Sequence, residues 1–216
     1  MSSIIAAAIQ ITSTSDKQEN YKKVAHYVKK AAGQKANFIV LPEHWDWLGK
    51  SEDKKIYAES LQGPGIQFVR NLAKEYQCWF VAGSFVEKNG EAPPYNTSIL
   101  VYPDGKLGKA YRKIHLFDAQ VALGHKESNF TSAGNEIVVE DLKVGKVGLA
   151  ICYDVRFPEI FRQMVSKGAQ IFALPSNFTA VTGAPHWEVL VRARAIENQC
   201  FVIAADQTGV TGAGWE

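Results

Sequence analysis

The chain has 216 residues, of which 24 are basic and 22 acidic, giving a formal net charge of +2. So even a balance argues against a sequence-indifferent nucleic-acid binder, which needs a basic excess or stripe. With 46% hydrophobic and 21% charged residues, intrinsic disorder is excluded and an ordinary globular protein is expected. One domain over residues 1–216 is long enough to bury a sizeable core.

Short apolar, β-branched runs recur along the chain. Residues 4–11, 38–41, 79–83, 98–102, 137–139, 147–151, 171–174 and 201–205 read as strands, several of them apolar throughout and so covered on both faces. Between them lie amphipathic patterns. Residues 16–32 place Tyr21, Val24, Ala25, Val28 and Ala32 on one stripe with lysines opposite, and residues 66–76 repeat this with Val69, Leu72, Ala73 and Tyr76. Residues 159–167 and 187–198 are two further helix candidates. Asn89-Gly90 and Pro103-Asp104-Gly105 are turn signals, so residues 79–111 are expected to hold antiparallel hairpins, and Gly145-Lys146 is expected to separate two more strands. The sum is an α/β layered fold. Internal repeats, low-complexity tracts and Pro/Ser-rich linkers are absent from the sequence.

No apolar run approaches the roughly 18 residues that cross a bilayer, so no membrane partner is expected. The apolar start, residues 1–11, lacks a preceding Lys or Arg and reads as a first strand rather than a signal peptide. Cys78, Cys152 and Cys200 are too few and too scattered for a disulfide scaffold, which points to a reducing cytoplasm. Without a secretion signal, the Asn-x-Ser/Thr matches at Asn96, Asn129 and Asn177 are read as chance.

Cys152 follows the strand at 147–151 and precedes Pro158, which can open a helix. A cysteine there can sit at an exposed elbow with backbone N–H groups facing a substrate oxygen, although a small buried hydrophobe is the plainer role. That plainer role suits Cys78 and Cys200, beside Trp79 and Phe201. A cysteine nucleophile needs a base or an electropositive neighbour, because its free pKa is about 8.5. Glu43 ends the strand 38–41, where a charge is costly unless solvated, paired or employed; a capping or salt-bridged glutamate would look the same. Alternation puts Tyr111 and Lys113 on one face and Arg112 and Ile114 on the other, so Lys113 is either a surface charge or an oxyanion donor. Glu127 lies in a loop where an exposed carboxylate is ordinary. A cysteine–histidine pair using His115 or His186 lacks any local protease signature. No HExxH, CxxC or close ligand grouping supports a metal, and no GxGxxG or Walker loop supports a nucleotide cofactor.

Three motifs in order, Leu41-Pro42-Glu43, Tyr111-Arg112-Lys113-Ile114-His115-Leu116 and Ile151-Cys152-Tyr153-Asp154-Val155-Arg156-Phe157-Pro158-Glu159, resemble the nitrilase, or carbon–nitrogen hydrolase, superfamily. The resemblance, which runs from the first strand to about residue 205, raises Glu43 and Lys113 above surface charges. It implies an α-β-β-α sandwich, dimerised through helices into a homodimer or larger homo-oligomer. It implies a catalytic set of Glu43, Lys113 and Cys152, a second glutamate at Glu127, and the Tyr153 backbone N–H as an oxyanion donor. No cofactor or metal is implied. Glu127-Ser128-Asn129, Pro175-Ser176-Asn177-Phe178 and His186-Trp187-Glu188 are similar to amidases acting on deaminated glutathione and on ω-amides of 2-oxo acids. The expected substrate is therefore a small linear carboxamide cleaved through a thioester.

Asn177, Phe178 and Trp187 are candidate pocket residues, though aromatic side chains are more often core. Arg156 and Glu159 are expected to pair with neighbouring charges and fix the elbow. For a substrate carboxylate, Lys126, Arg156 and Arg192 all remain open as partners. A nitrilase acting on a nitrile, and an impaired homologue serving as an oligomerising partner, are the competing functions. Family members continue beyond Trp215 and Glu216 through further strand segments, so the sandwich is expected to lack its C-terminal strands.

Overall fold

The structure, a computed structural model, describes residues 4–119 and 126–210; His125 and residues 211–216 lie outside them. In chain order, β1 (Ala6–Ala8), α1 (Lys17–Gly33) and β2 (Phe38–Val40) are followed by a 3-10 turn (Ser51–Asp53), α2 (Lys54–Tyr57) and α3 (Pro64–Tyr76). Then come β3 (Trp79–Val81), β4 (Phe85–Glu87), β5 (Tyr95–Val101), β6 (Leu107–Arg112), a 3-10 turn (Glu127–Asn129), β7 (Val139–Leu142) and β8 (Gly145–Leu149). The remainder is a 3-10 turn (Cys152–Arg156), α4 (Pro158–Ser166), β9 (Ile171–Ser176), α5 (Ala180–Asn198) and β10 (Phe201–Asp206).

Local chemistry explains most of these boundaries. Asp16 caps α1 by accepting from the N–H groups of Gln18 (2.8 Å) and Glu19 (3.2 Å), a cap worth about 1 kcal/mol. Pro64 and Pro158 occupy the first turns of α3 and α4, where a missing N–H costs nothing. The first strand is three residues rather than the eight-residue run expected, because only Ala6 to Ala8 find partners on β2. The hairpin between β7 and β8 pairs Leu142 with Gly145, so its turn lies at Lys143-Val144 and not at Gly145-Lys146. Helix α5 begins at Ala180, two turns before the expected start, capped by Thr179 and tolerating Pro185 inside it.

Six strands form one sheet, ordered β1-β2-β3-β5-β4 with β6 also paired to β5, and four form the other, ordered β10-β9-β8-β7. Strands β1 and β2 pack against β9 and β10, which sets the sheets face to face. The period-two alternation of β2 divides the core. Phe38 and Val40 join the cluster between the sheets, with Leu149, Phe172 and Leu174. Ile39 and Leu41 join the cluster under α1 and α3, with Val24, Val28, Ile66 and Val69. On the other side α4 buries Ile160, Phe161 and Met164 against β8 and β9. The layers are therefore α-β-β-α, and each fully buried large side chain contributes about 1.5–3 kcal/mol.

Strands β2, β6, β8 and β9 end on one side of this sandwich, and Gly83 shows how tightly that side is packed. Its φ is +49°, and an added Cβ would lie 2.1 Å from the carbonyl oxygen of Pro42 and 2.8 Å from Cδ1 of Trp45. Gly83→Ala is therefore expected to cost about 2 kcal/mol or more from strain and overpacking. At this chain length that lowers the melting temperature by about 4–8 °C. An unchanged melting temperature would contradict the packing described.

Candidate active site

Glu43 directly follows the buried end of β2, and both sheets hold its backbone. Its N–H donates to the carbonyl of Ser176 at the end of β9 (3.3 Å), and its carbonyl accepts from Gln207 Nε2 beyond β10 (2.8 Å). Lys113 directly follows β6, whose register is set by pairing with β5 and by a bidentate bond from Arg112 to Glu87 (2.9 and 2.8 Å) on the opposite face. Tyr111 and Lys113 are both buried and Arg112 is exposed, the alternation expected of a strand.

The Lys113 ammonium lies 3.0 Å from Glu43 Oε1 and 3.0 Å from Glu127 Oε2. Glu127 is placed by its own contacts: its Oε2 accepts from the Phe117 N–H (2.8 Å). Asn96 Nδ2 donates to Glu43 (2.8 Å) and reaches Glu127 (3.4 Å), tying the two carboxylates together. Asn96 is fully buried in β5, a role its sequence context as a chance glycosylation match conceals.

Cys152 opens a 3-10 turn directly after the β8 segment with φ +46°, a left-handed conformation that strains a non-glycine residue by about 1–3 kcal/mol. The elbow is as expected, but Cys152 is only 7% exposed and lines a cavity, so the thiol is buried rather than on an exposed corner. Asp154 fixes that elbow. This fully buried carboxylate accepts from the Ile151 N–H (2.9 Å) and the Tyr111 hydroxyl (2.7 Å), and from the His115 N–H (3.1 Å), with His115 Nδ1 at 2.7 Å. It thereby clamps the cysteine turn to the residues flanking Lys113. Nothing in the sequence pattern singled out Asp154 beyond its place in the third motif.

Glu43, Lys113, Glu127 and Cys152 line one cavity of about 130 Å³, with Tyr153, Asn177 and Phe178 in its walls. Trp187 is not among its lining residues; its ring packs at a tilt against Phe178, centroids 4.9 Å apart, and borders a neighbouring cavity with Asp206. Arg192 is exposed on α5 and paired with Glu188 at 2.9 Å, away from the cavity. Arg156 lines the cavity, and its expected pairing with a neighbouring acid is not found among the described residues: its contacts are the His186 ring nitrogen and the faces of Tyr153 and Phe178. Glu159 is exposed on the first turn of α4.

The electrostatics divide the four groups into a charged set and a neutral one. Burial pushes the Cys152 thiol well above 9.0, and the Glu43 charge adds to this, outweighing Lys113. Burial also acts to raise Glu43, but the Lys113 ammonium more than offsets it and holds the carboxyl below 4.5. Glu127, opposed by burial and drawn down by Lys113 and Lys54, lies at about 2. Against the burial penalty, Glu127 and Glu43 keep Lys113 well above 10.5. Burial lowers His44 to about 4, so it is neutral at pH 7. Glu43, His44 and Glu127 gather within 4.8 Å, a potential metal grouping that the sequence did not suggest. Lys113 already occupies the space between the two carboxylates, and its positive charge opposes a metal cation there. The arrangement can hold a thiol, a carboxylate base and a fixed cation around one reacting carbon.

Removing the ammonium should expose the repulsion it masks. At pH 7, Lys113→Met is expected to cost about 3–5 kcal/mol in urea unfolding, the penalty for a buried charge left unpaired. Because Glu43 and Glu127 are depressed in the folded protein, their stabilisation is present above 4.5 and lost as pH falls towards 2. The deficit of the variant must therefore shrink on acidification as the orphaned carboxylates take up protons. An equal deficit at pH 7 and at pH 4 would contradict the assignment.

Comparisons with known proteins agree with this geometry. The family model described as carbon–nitrogen hydrolase matches residues 5–215. The chain is 40% identical over 212 residues to a deaminated glutathione amidase of Dictyostelium discoideum, covering 93% of this chain and 72% of that one. It is 38% identical over 209 residues to the nitrilase and fragile histidine triad fusion protein NitFhit of Caenorhabditis elegans, spanning 94% of this chain but about half, 48%, of the fusion protein. The NitFhit crystal structure superposes with a TM-score of 0.88 over 94% of this chain and 51% of that one. Nit3 of Saccharomyces cerevisiae, a member of branch 10 of the nitrilase superfamily, is 34% identical with a TM-score of 0.86 over 95% of this chain and 76% of that chain. With a family match over nearly its whole length and a catalytic-type cluster of glutamate, lysine and cysteine at one end of its sandwich, the chain belongs to the carbon–nitrogen hydrolase family.

Proposed function

We propose that the chain is an amidase that hydrolyses a small linear carboxamide to a carboxylic acid and ammonia, with deaminated glutathione or an ω-amide of a 2-oxo acid as the substrate. The observation that carries this is the Lys113 ammonium held 3.0 Å from both Glu43 and Glu127 in the cavity that contains the Cys152 thiol. The similarity to deaminated glutathione amidases supports the choice of substrate.

Cys152 rests as a thiol and needs a base at the moment of attack. Glu43 takes the thiol proton as the sulfur bonds to the amide carbon; transfer to a carboxylate of low pKa becomes favourable because the thiol acidifies as the new bond forms. The carbonyl π electrons move to oxygen, and Lys113 with the Tyr153 backbone N–H receives the oxyanion, about 3 kcal/mol per donor. Glu43 then protonates the departing nitrogen, the C–N bond breaks, and ammonia leaves a thioester on Cys152. Water attacks the thioester while Glu43 accepts its proton; the C–S bond breaks, the acid departs and the proton returns to sulfur. Glu127 and Asn96 keep Lys113 and Glu43 aimed at the reacting carbon, and Asn177 and Phe178 form the substrate wall.

The working unit is a homodimer or larger homo-oligomer in the cytoplasm. Val181, Val189 and Ile196 of α5 are exposed, eight and seven residues apart, and Phe201 of the edge strand β10 is exposed beside them in sequence. Three free cysteines accord with a reducing compartment, and no helix among the described residues is long and apolar enough to cross a membrane.

Ammonia release from a panel of ω-amides, deaminated glutathione included, and a matched panel of nitriles tests the proposal. The expected result is turnover of the amides, no turnover of the nitriles, and loss of turnover in Cys152→Ala with its thermal unfolding retained. Release at the parental rate by that variant would refute the assignment. Preference for nitriles would favour a nitrilase, and inactivity on both panels would favour an oligomerising partner.

A further inference from the structure

His44 lines the cavity with Glu43 and Cys152 yet takes no part in the steps those two residues perform. It is 7% exposed, and its backbone is held at φ +57°. A non-glycine residue stays in that left-handed region only where its surroundings fix it, and such residues gather at functional sites. Here Ser84 does the fixing: its hydroxyl accepts from the His44 N–H (3.2 Å), and its own N–H donates to the Pro42 carbonyl (3.2 Å). Buried imidazoles are ordinarily hydrogen-bonded. This ring bonds to no described residue: Nδ1 is buried without a partner, and Nε2 lies 4.0 Å from Glu43 Oε1. That separation is too long for a hydrogen bond and fits one water held roughly 2.8 Å from each group.

The carboxylate beside the ring has room for such a water. Glu43 Oε1 accepts from Lys113 (3.0 Å) and Asn96 (2.8 Å), and no described residue donates to Oε2, which leaves that oxygen for a proton. Burial lowers His44 to about 4, so the imidazole is neutral at pH 7. In the tautomer protonated on Nδ1, its Nε2 is an acceptor. A water between ring and carboxylate then directs one hydrogen to Glu43 and the other to Nε2. Its lone pairs turn away from both, the orientation a nucleophile needs. Of the two half-reactions, only thioester hydrolysis uses a water; in the first, the sulfur is the nucleophile and Glu43 takes the thiol proton.

We infer that His44 is the positioning residue of the second half-reaction: with Glu43 it holds the water that hydrolyses the Cys152 thioester, and it has no part in forming that thioester. This rests on the amidase reading of the site. In the step, the water oxygen bonds to the thioester carbon, one water proton passes to Glu43, and the carbonyl π electrons move to oxygen. As they return, the C–S bond breaks with its electron pair on sulfur. The proton passes from Glu43 to that sulfur, and the carboxylic acid departs. His44 accepts a hydrogen bond from the water and is itself neither protonated nor consumed.

The test uses the full chain with 2-oxoglutaramate, an ω-amide of a 2-oxo acid, or the panel amide turned over fastest. Ammonia reports formation of the thioester, and intact mass reports its accumulation. His44→Ala is expected to slow thioester hydrolysis roughly tenfold or more, with a burst of about one ammonia per site and an acyl mass retained on Cys152. Its kcat/KM, set by thioester formation, should change less than about threefold, because removing a neutral ring leaves the charge around Glu43 unaltered. Glutamine places its amide near the position of Nε2 and asparagine near that of Nδ1. His44→Gln should therefore restore most of the hydrolysis rate and His44→Asn should not, and this pair decides the matter if the alanine variant does not fold. Equal losses in kcat and kcat/KM with no thioester accumulating, or glutamine and asparagine variants that behave alike, would overturn the inference and leave the amidase reading intact. If the natural protein releases no ammonia from any amide of the panel and gains no acyl mass, the amidase reading fails and the inference falls with it.

Discussion

One ammonium between two carboxylates organises the site. Burying Glu43, Lys113 and Glu127 together is costly, and the cluster persists because each charge is both paired and hydrogen-bonded: Lys113 to both acids, Asn96 to both acids, and the Phe117 N–H to Glu127. The same pairing fixes the protonation states. Lys113 holds the Glu43 carboxyl down and so ionised, while burial and the Glu43 charge push the Cys152 thiol up and so keep it protonated, the starting states that the proposed mechanism requires. In the proposed mechanism no reactive thiolate is stored, and the proton moves when the substrate is present.

The α-β-β-α sandwich exists in this respect to bring distant strand ends to one point. Glu43 follows β2, Lys113 follows β6, Cys152 follows β8, and the backbone of Glu43 is tied to the ends of β9 and β10. The larger sheet positions Glu43 and Lys113, which the proposed mechanism uses as base and cation, the smaller sheet positions Cys152, its proposed nucleophile, and the face-to-face core between them sets their separation. Asp154 adds a further polar clamp across that junction, joining the cysteine turn to Tyr111 and His115 on either side of Lys113. The strain at Cys152, φ +46°, is held by this clamp and by the packed strand before it.

Much of this was legible along the chain. Glu43 at the end of an apolar run, the alternation that turns Tyr111 and Lys113 inward, and a cysteine between a buried strand and Pro158 are local signals, and the order of the three motifs joined them. The layering followed from apolar runs alternating with amphipathic stripes. What stayed hidden depends on contacts between residues far apart in sequence. Asn96 is a polar residue in an ordinary-looking strand until Glu43, 53 residues away, folds onto it. Asp154 gains its partners from Tyr111, 43 residues earlier. Gly183 and Pro185 precede the expected helix at 187–198, yet the Thr179 cap and packing of α5 against the smaller sheet carry the helix through them. Arg156 was expected to find an acid, and only the fold shows aromatic faces and an imidazole in that place.

The division into a neutral thiol and an ionised base is open to direct observation. Ultraviolet absorbance of the thiolate, recorded across pH as the difference between the natural protein and Cys152→Ala, reports the ionisation of that one sulfur. No thiolate should develop from Cys152 below pH 9.0, the ordinary value for the group. A Cys152 thiolate already present at neutral pH would mean that Lys113 stabilises the sulfur rather than Glu43, and would contradict a base that acts on demand.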